Sequence, residues 1–432
     1  MPGDWKTLQL EDCMAAIIDY RGKSPDKTTF GVPLVTAKIV KGGRIEKPEE
    51  FIAEADFDEW MRRGMPMPGD IVMTTEAPLG EVAQLDGRKV ALAQRVITLR
   101  GKPDVLDNTF LKFLLQSNPV QEELRSRGTG TTVVGIRQSE LRKVSLTLPP
   151  LAEQKAIAAV LGALDDKIEL NRRMNATLEA MARALFQSWF VDFDPVRAKL
   201  DGRVPSGIDE ATVALFPEHF AHGEHDMLPV GWRHAAIEEV CAINASTLGK
   251  NDDLELLEYV EISEVTRGNI AKIATYARGE EPSRARRRLR HGDTVLSTVR
   301  PDRGSYFLAL NPPGNRVAST GFVVLTPTRV PWSFIHAAMT QPEISDHLGQ
   351  MADGGAYPAV RPEIIGSVKI AAPNEPKILE AFHRSCAPLF EQAEANRTQS
   401  RTLAILRDTL LPALLSGKLQ VPYDKDLSGK AA

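Results

Sequence analysis

The sequence has few of the features that cross-link a small protein or anchor a protein to a membrane. Among its 432 residues are three cysteines, Cys13, Cys241 and Cys386, and they form no C-x-x-C pair. This excludes a disulfide-rich secreted scaffold and a cysteine-based zinc site, and it favours a reduced compartment. No run approaches the roughly 18 apolar residues of a membrane-spanning helix, and no signal-peptide pattern opens the sequence. We therefore expect a cytoplasmic protein without membrane contact.

An excess of positive charge is also lacking. Lys and Arg number 53 and Asp and Glu number 57, so the formal net charge is -4. That figure alone excludes a nucleic-acid binder that relies on a large overall positive field. The hydrophobic share of 43% is that of a globular protein and argues against disorder. The length corresponds to two or three domains of about 150 residues each.

The motifs of familiar enzymes are missing as well. There is no G-x-S-x-G serine elbow, no phosphate-binding P-loop and no glycine-rich cofactor loop. Asn311–Gly314 reads Asn-Pro-Pro-Gly and lacks the aromatic ring of amino methyltransferases, so it predicts a turn. His219, His222 and His225 lack a fourth ligand and a rigid frame for zinc. The sequence thus predicts no metal site and no catalytic residue; an active site assembled from distant residues is the alternative.

What the chain does contain is a long internal repeat. Gly69–Thr75 (GDIVMTT) returns in the second half as Gly292–Thr298 (GDTVLST). Gly130–Arg137 (GTTVVGIR) aligns with Gly354–Arg361 (GGAYPAVR) at nearly the same spacing along the chain. Insertions in loops between duplicated elements produce such a small drift in spacing. We predict a tandem duplication.

The sharpest repeat is helical. Apolar residues from Ile157 to Trp189 recur at steps of three and four, through Met174, with one phase slip near Asn171, and the pattern returns in the second half with Asn396 in the place of Asn171. Such spacing predicts a heptad seam, and a polar Asn on a seam fixes helix register. The predicted pairing residues are Leu161, Leu164, Ile168, Asn171, Leu178, Met181 and Leu185 in the first helix, and Leu389, Asn396, Leu403, Leu406 and Leu410 in the second.

Each half is therefore expected to be a globular mixed domain followed by one long helix. Short β-branched segments predict strands at Asp70–Thr75, Val90–Leu99, Thr294–Thr298 and Gly321–Leu325, and helices are predicted at Asn108–Ser117 and Trp332–Gln341. The first long helix, from Glu153 to about Phe190, spans about 57 Å, and helices of that length usually pair. We expect an α+β fold in which an antiparallel coiled coil of the two helices separates the two domains.

The predicted boundaries follow from these patterns and from a Pro-, Gly- and charge-rich stretch in the middle of the chain. They are a first domain at 1–150, its helix at 151–197, a connector at 198–228, a second domain at 229–373, its helix at 374–421 and a tail at 422–432.

Positive charge is concentrated in short stretches. Ser283–His291 reads SRARRRLRH, flanked by Arg267 and Arg278. Such a run suits phosphate neutralisation, and arginine also reads guanine edges; a solvated face or a protein-binding patch is the alternative. The glycine-rich loops Gly128–Arg137 and Gly354–Arg361 either approach a phosphate or are plain hairpin loops. The candidate nucleic-acid ligands are Arg284, Arg286, Arg287, Arg288, Arg290, Arg300 and Arg303 in the second half, Lys38, Lys41 and Arg44 in the first half, and Arg137 and Arg361 at the loops.

Two helical stretches carry a family resemblance. Pro149–Lys199, which begins PPLAEQKAIAAVLGALDDK, resembles the central helical region of type I restriction–modification specificity subunits. Thr402–Leu419, TLAILRDTLLPALLSGKL, is similar to the distal helical region of the same family. The doubled plan of domain and helix covers nearly the whole chain, although Asn374-Glu375-Pro376 stands where the first helix begins with Leu151-Ala152-Glu153.

The resemblance implies a non-catalytic subunit that recognises double-stranded DNA. Each globular domain is then expected to be a target-recognition domain that reads one half of a bipartite target, and the dissimilar basic residues predict an asymmetric one. The helices are expected to act as spacer and to dock two adenine methyltransferase subunits, which restriction and translocase subunits join. No cofactor is expected in this chain; S-adenosylmethionine, ATP and magnesium are expected in the partners. A free-standing two-domain DNA-binding or scaffold protein without a methyltransferase partner is the alternative.

Overall fold

The chain forms two compact units. The computed structural model describes residues 4–205, 207–221, 227–249, 252–355 and 357–422. The first unit comprises Met1–Glu169 with Ser400–Ala432, and the second comprises Leu170–Gln399. Each unit therefore contains one globular domain together with a part of both long helices.

The domain of the first unit consists of short strands and helices, followed by a long helix. Its strands are β1 (Lys6–Gln9), β2 (Met14–Asp19), β3 (Val32–Val35), β4 (Val40–Lys41), β5 (Arg44–Ile45), β6 (Phe51–Ile52), β7 (Ile71–Thr75), β8 (Leu79–Gln84), β9 (Ala91–Leu92), β10 (Val96–Gly101) and β11 (Ser145–Leu148). Its helices are α1 (Leu10–Cys13), α2 (Phe57–Trp60), α3 (Asn108–Gln116), α4 (Asn118–Arg127), α5 (Gln138–Leu141) and the start of α6 (Leu151–Phe186), which ends in a π-helical turn at Gln187–Val191.

The central sheet of this domain has the strand order β2-β10-β7-β8 and is antiparallel. Its third strand is buried on both faces, with Ile71 and Met73 packed on the side of α3 and Val72 packed on the side of β3. Because side chains alternate along a strand, β7 contributes to two hydrophobic cores at once. Strand β1 pairs with β11, which joins the two ends of the domain.

The second unit repeats this inventory. Its strands are β12 (Trp232–Ala236), β13 (Cys241–Ile243), β14 (Leu256–Val260), β15 (Val265–Thr266), β16 (Asn269–Ile270), β17 (Ala274–Ala277), β18 (Ala285–Arg288), β19 (Asp293–Ser297), β20 (Tyr306–Ala309), β21 (Arg316–Ser319), β22 (Phe322–Pro327) and β23 (Lys369–Pro373). Its helices are α7 (Asp194–Leu200), α8 (Glu210–Leu215), α9 (Ile237–Val240), α10 (Trp332–Met339), α11 (Pro342–Gln350), α12 (Pro362–Gly366) and α13 (Pro376–Leu415), whose last part lies in the first unit.

The strand topology confirms the duplication. The order β13-β22-β19-β20 reproduces β2-β10-β7-β8, and the pair β12–β23 reproduces β1–β11. The additional sheets differ, since β6-β3-β9 in the first unit corresponds to the four-stranded β17-β14-β21-β18 in the second. The two domains thus share a scaffold and differ in what is built onto it.

The repeated Gly-Asp motif has a structural role. The carboxylate of Asp70 accepts the backbone N–H of Met67 at 2.8 Å, and Asp293 accepts the N–H of Arg290 at 2.7 Å. Each aspartate therefore closes a three-residue turn on the way into the third strand of its sheet. Both carboxylates are almost fully buried.

The stretch predicted as a connector belongs to the fold of the second unit wherever the structure describes it. Ala198 and Phe216 are 4% and 2% exposed, and Phe216 meets the ring of Trp189 edge-on at a centroid distance of 5.2 Å. The Nζ of Lys199 donates to the backbone carbonyl of Phe216 at 2.6 Å. Sequence composition suggested a linker because it weighs Pro, Gly and charge and gives single aromatic anchors little weight. His222 and His225 lie outside the described residues.

The long helices are antiparallel partners, as predicted. In the first unit Leu161 of α6 and Leu414 of α13 are buried in the same cluster. Arg407 donates from Nη1 to Asp165 Oδ1 at 2.8 Å, and Lys112 of α3 also pairs with Asp165. Higher residue numbers in α6 thus face lower residue numbers in α13, which means that the two helices are antiparallel.

In the second unit a network of buried amides joins the two helices. Asn171 donates from Nδ2 to Gln399 Oε1 at 2.9 Å and to the backbone carbonyl of Asn396 at 3.3 Å. Asn396 donates to Asn175 Oδ1 at 2.8 Å, and Asn175 donates to the carbonyl of Ala393 at 3.0 Å. Buried amides are costly unless they are hydrogen-bonded, so the network favours the one alignment of the helices that satisfies it.

The predicted seam is wrong at Met181 and Leu406. Their side chains are 50% and 44% exposed, and that of Met174 is 38% exposed. The positions next to them face the partner helix instead, and they are Asn175, Ala182 and Arg407. The buried positions follow the heptad spacing without a phase slip. The slip was predicted because the sequence pattern treats every apolar residue as buried. The other ten predicted pairing residues are buried or half-buried.

Among the described residues, no helix combines the length and the apolar content that a bilayer crossing requires.

Replacing Asn171 with Leu tests the role of the amide network. We expect Asn171→Leu to loosen helix register more than it lowers the free energy of unfolding, because Leu keeps the seam apolar but removes contacts to Asn396 and Gln399. Disulfide crosslinking between cysteines introduced at facing seam positions reports the register, and urea unfolding reports stability.

Met174→Leu changes an exposed neighbour on the same helix and serves as the matched control. A single, unchanged register in Asn171→Leu would argue against the assigned role.

Candidate nucleic-acid interface

In the first unit the glycine-rich loop folds back onto the end of β7. Thr129 and Gly135 exchange two backbone hydrogen bonds of 2.8 and 3.0 Å, which closes the loop as a hairpin. The N–H of Ile136 then donates to the carbonyl of Thr75 at 2.9 Å. The tip between these anchors is exposed and includes Val133, of which 52% is accessible.

The second unit has the same arrangement at the end of β19. Asp353 and Ala359 exchange hydrogen bonds of 3.0 and 2.8 Å, and Val360 N–H donates to the carbonyl of Thr298 at 2.8 Å. Both glycine-rich stretches are therefore hairpin loops, as one of the two sequence interpretations had it, and they occupy equivalent places. The candidate residues Arg137 and Arg361 follow these loops and are exposed.

The turn beside each loop has an unusual backbone. Ala77 has a φ of 52° and Arg300 a φ of 47°, and each precedes a proline. L-residues other than Gly, Asn and Asp rarely adopt this left-handed region. Because each residue comes two positions after its repeated motif, Gly69–Thr75 or Gly292–Thr298, the two places are equivalent. The two residues share this φ, but the backbone after them differs: β8 begins at Leu79, whereas a 3-10 turn at Pro301–Arg303 precedes β20.

In the second unit arginines from separate segments meet at this turn. The Cζ of Arg300 lies 4.8 Å from the ring centroid of Tyr357, whose side chain is 73% exposed. Arg303 is exposed two residues after Pro301. The backbone N–H of Arg267 donates to the carbonyl of Gly304 at 2.8 Å, which brings a third arginine to the same place. We call residues 300–304 with Arg267 and Tyr357 the arginine turn.

Arg267 reaches the turn because it sits at the tip of a two-residue hairpin. Strands β15 and β16 are joined by Arg267-Gly268, with φ of 42° and 82°, a type I′ geometry. The first unit has the same hairpin at the equivalent place, where β4 and β5 are joined by Gly42-Gly43 with φ of 54° and 83°.

The candidate residues around that first hairpin are only loosely paired. The Nζ of Lys41 lies 3.6 Å from Glu46, and that of Lys38 lies 3.9 Å from Glu50. Arg44 is exposed. At these exposures an ion pair contributes little, so the positive charge stays accessible to an anionic partner.

The arginine-rich run is not a uniform basic ribbon. It includes β18, the outer strand of its sheet. Arg286 lies 3.5 Å from Glu281, and Arg288 lies 3.1 Å from Asp252, so local carboxylates compensate both charges. Arg287 is half-buried, and burial lowers the pKa of its guanidinium. Only the two ends of the run, Arg284 and Arg290, are exposed.

The first unit also contains a group of arginines that the sequence patterns do not reveal. Arg21 donates from Nη1 to the carbonyl of Ile136 at 2.8 Å, beside Arg137. Arg63 donates to the carbonyl of Arg21 at 2.7 Å, and Arg95 pairs with Glu76 at 2.9 Å. Arg21, Arg63 and Arg95 come from three separate segments, so no local run marks them in the sequence.

The buried thiols and the buried imidazole of His336 each keep one protonation state at neutral pH. Burial raises the pKa of the Cys241 and Cys386 thiols to about 12 and that of Cys13 to about 11, so all three stay protonated. Burial lowers the pKa of His336 to about 3 and keeps its imidazole neutral. No group of three or more His, Cys, Asp or Glu side chains within the described ranges is arranged to hold a metal ion.

Each unit combines a domain of the same sheet topology with a part of both long helices, and each presents exposed arginines beside a hairpin loop. Residues 2–180 match the family model described as "Type I restriction modification DNA specificity domain". The chain is 25% identical to the type I restriction enzyme MjaIX specificity subunit of Methanocaldococcus jannaschii, over 98% of this chain and 95% of that one.

Two further comparisons agree. The HindI specificity subunit of Haemophilus influenzae is 26% identical, over 72% of this chain and 77% of the relative. The crystal structure of a type I restriction–modification S subunit from M. genitalium superimposes with a TM-score of 0.56 at 17% identity, covering 96% of this chain and 97% of that one, which supports the fold. The chain is thus similar to type I restriction–modification specificity subunits over nearly its whole length, and residues 2–180 match the family model.

The uneven pairing of the arginine-rich run predicts an uneven response to mutation. We expect Arg284→Ala with Arg290→Ala to lower the slope of log binding constant against log salt by about 1.8, because each lost phosphate contact removes about 0.9. Arg286→Ala with Arg288→Ala should change the slope less, since those guanidinium groups already pair with Glu281 and Asp252.

The measurement is binding of the full chain to duplex DNA across a salt series. Equal slope changes for the two double variants would contradict this division of the run.

Proposed function

We propose that this chain is the DNA-recognition subunit of a type I restriction–modification complex and that it reads an asymmetric, bipartite target. One observation carries the proposal: the two units repeat one scaffold but present different side chains at the same turn. Arg300 stands in the second unit where the first has Ala77. A repeated scaffold provides two domains that each read DNA. Because their side chains differ, the two domains recognise two different half-sites.

The acidic total charge is compatible with this role. Phosphate contacts require local positive surface, and exposed arginines of both units supply it beside the two hairpin loops. Carboxylates neutralise other arginines in place, as at Arg286 and Arg288. The net charge of -4 therefore limits non-specific attraction without removing the sites of specific contact.

The helix pair is the surface proposed to dock two adenine methyltransferase subunits. In α6 the apolar side chains of Met174 and Met181 are 38% and 50% exposed, and in α13 those of Ile405 and Leu406 are 68% and 44% exposed. Large apolar side chains that recur on an exposed helix face are typical of protein-binding surfaces. The family likeness supports restriction subunits as further partners.

The chemistry is assigned to those partners. S-adenosylmethionine for methyl transfer, and ATP with magnesium for translocation and cleavage, are proposed to bind the partner subunits, and this chain is proposed to be non-catalytic. The protonated, buried cysteines and the neutral, buried His336 support that assignment.

Methylome sequencing of a host that expresses this chain with its modification subunits tests the proposal. We expect methylated adenine in a motif of two unequal halves separated by a fixed number of unspecified base pairs. Arg95→Ala in the first unit and Arg303→Ala in the second form a matched pair, because each removes an exposed arginine from one domain. Each variant should alter the preference of its own half only.

Two results would contradict the proposal. One is a single continuous motif, and the other is methylation by the purified chain without its partners. A change in both halves from either single variant would contradict the assignment of one half to each domain.

A further inference from the structure

The backbone of the arginine turn holds the Arg300 side chain in a defined place. The N–H of Arg300 donates to the carbonyl of Pro358 at 2.8 Å, and its own carbonyl accepts the N–H of Arg303 at 3.0 Å. Gly304 N–H closes the turn on the carbonyl of Pro301 at 3.1 Å. The residue is thus tied on one side to the hairpin loop and on the other to a short helical turn, so its Cα has little freedom.

The Arg300 side chain also makes a contact with an aromatic ring. The guanidinium carbon lies 4.8 Å from the ring centroid of Tyr357. A cation over an aromatic ring is attracted by the quadrupole of the ring, so the contact with Tyr357 favours one placement of the Arg300 guanidinium. Tyr357 is 73% exposed, so the stacked pair stands at the surface, where a large ligand has access to it.

The first unit has nothing comparable at the equivalent position. Ala77 replaces Arg300, and the tip of the equivalent loop carries Val133 and Val134, which are 52% and 41% exposed. In the first unit the nearby arginine is Arg95, which directly precedes strand β10. The second unit has Gly321 at the position that corresponds to Arg95. Both Arg95 and Gly321 accept the backbone N–H of the threonine that ends the third strand, at 3.0 and 2.9 Å.

We infer that Arg300 reads a guanine in the second half-site and that Tyr357 positions it. This inference rests on the proposed function and assigns one base contact within it. Arginine to the O6 and N7 atoms of guanine is the commonest specific contact in the major groove, and it requires a guanidinium whose plane is fixed before binding. An arginine that lies over a ring and whose backbone is hydrogen-bonded on both sides meets that requirement better than the exposed arginines at the ends of the 284–290 run. The first half-site has no guanine reader at the corresponding position.

Competition binding with a set of duplexes, each changed at one base pair, measures the contact. The chain is used in complex with its modification subunits, and methylome sequencing of the same variants supplies an independent readout. Arg300→Ala should reduce discrimination at one guanine of the second half-site by roughly 5- to 150-fold. The preferences of the first half-site and the spacing should not change.

Three further variants separate base reading from charge. Arg300→Lys keeps the charge but loses the fork of N–H donors, so it should retain the salt dependence and lose the discrimination. Tyr357→Phe keeps the ring and should behave as the original chain, whereas Tyr357→Ala should lose a part of the discrimination. Arg284→Ala removes an exposed arginine of the same unit and should weaken binding to all duplexes alike. Thermal unfolding confirms that each variant is folded.

Several results would overturn the inference. If Arg300→Ala weakens binding to every duplex equally and lowers the salt slope by about 0.9, Arg300 contacts a phosphate. A second half-site in which no guanine is required would also overturn it. Full specificity in both Arg300 variants would overturn the inference and leave the proposed function standing. A complex that methylates no bipartite target would overturn both.

Discussion

The rest of the molecule depends on the polar seam between the two long helices. An apolar heptad seam alone permits neighbouring registers, because each shift by one heptad buries a similar surface. Here the seam contains a buried amide network through Asn171, Asn175 and Asn396 in the second unit. In the first unit Asp165 binds both Arg407 of the partner helix and Lys112 of the domain. A shift in register would leave these groups buried without partners, at a cost of about 1–3 kcal/mol for each neutral group and more for the charges.

The scaffold that the helices carry is conservative in backbone and variable in side chain. The central sheets share one strand order, the Gly-Asp turns close in the same way, and the hairpin loops anchor to the same strand end. In the second unit the tip of the β15–β16 hairpin also rests on the helix pair, since a Cβ at Gly268 would lie 2.8 Å from Arg397 Nη2. The two units differ in the second sheet, in the exposed tips and in short helices such as α7 and α8, which occur in the second unit.

Much of this could be predicted from the sequence, and the errors have physical causes. Periodicity located both long helices, and the internal repeat located the duplicated strands. Val90–Leu99 was expected as one strand but forms β9 and β10, because a turn at residues 93–95 interrupts a run whose apolar content is continuous. The seam was misjudged at Met181 and Leu406, since hydrogen-bonded or small residues take the buried positions. The grouping of residues in the arginine turn could not be predicted, because Arg267, Arg300 and Tyr357 lie far apart along the chain and come together only in the fold.

The central claim is that one unit of domain plus helix is used twice and that each domain reads its own half-site. The most direct measurement is the methylome of a chimera in which residues 229–373 also replace residues 1–150, expressed with the modification subunits. The account predicts a target made of two copies of the second half-site at the original spacing. Retention of the first half-site in the chimera's target would contradict it.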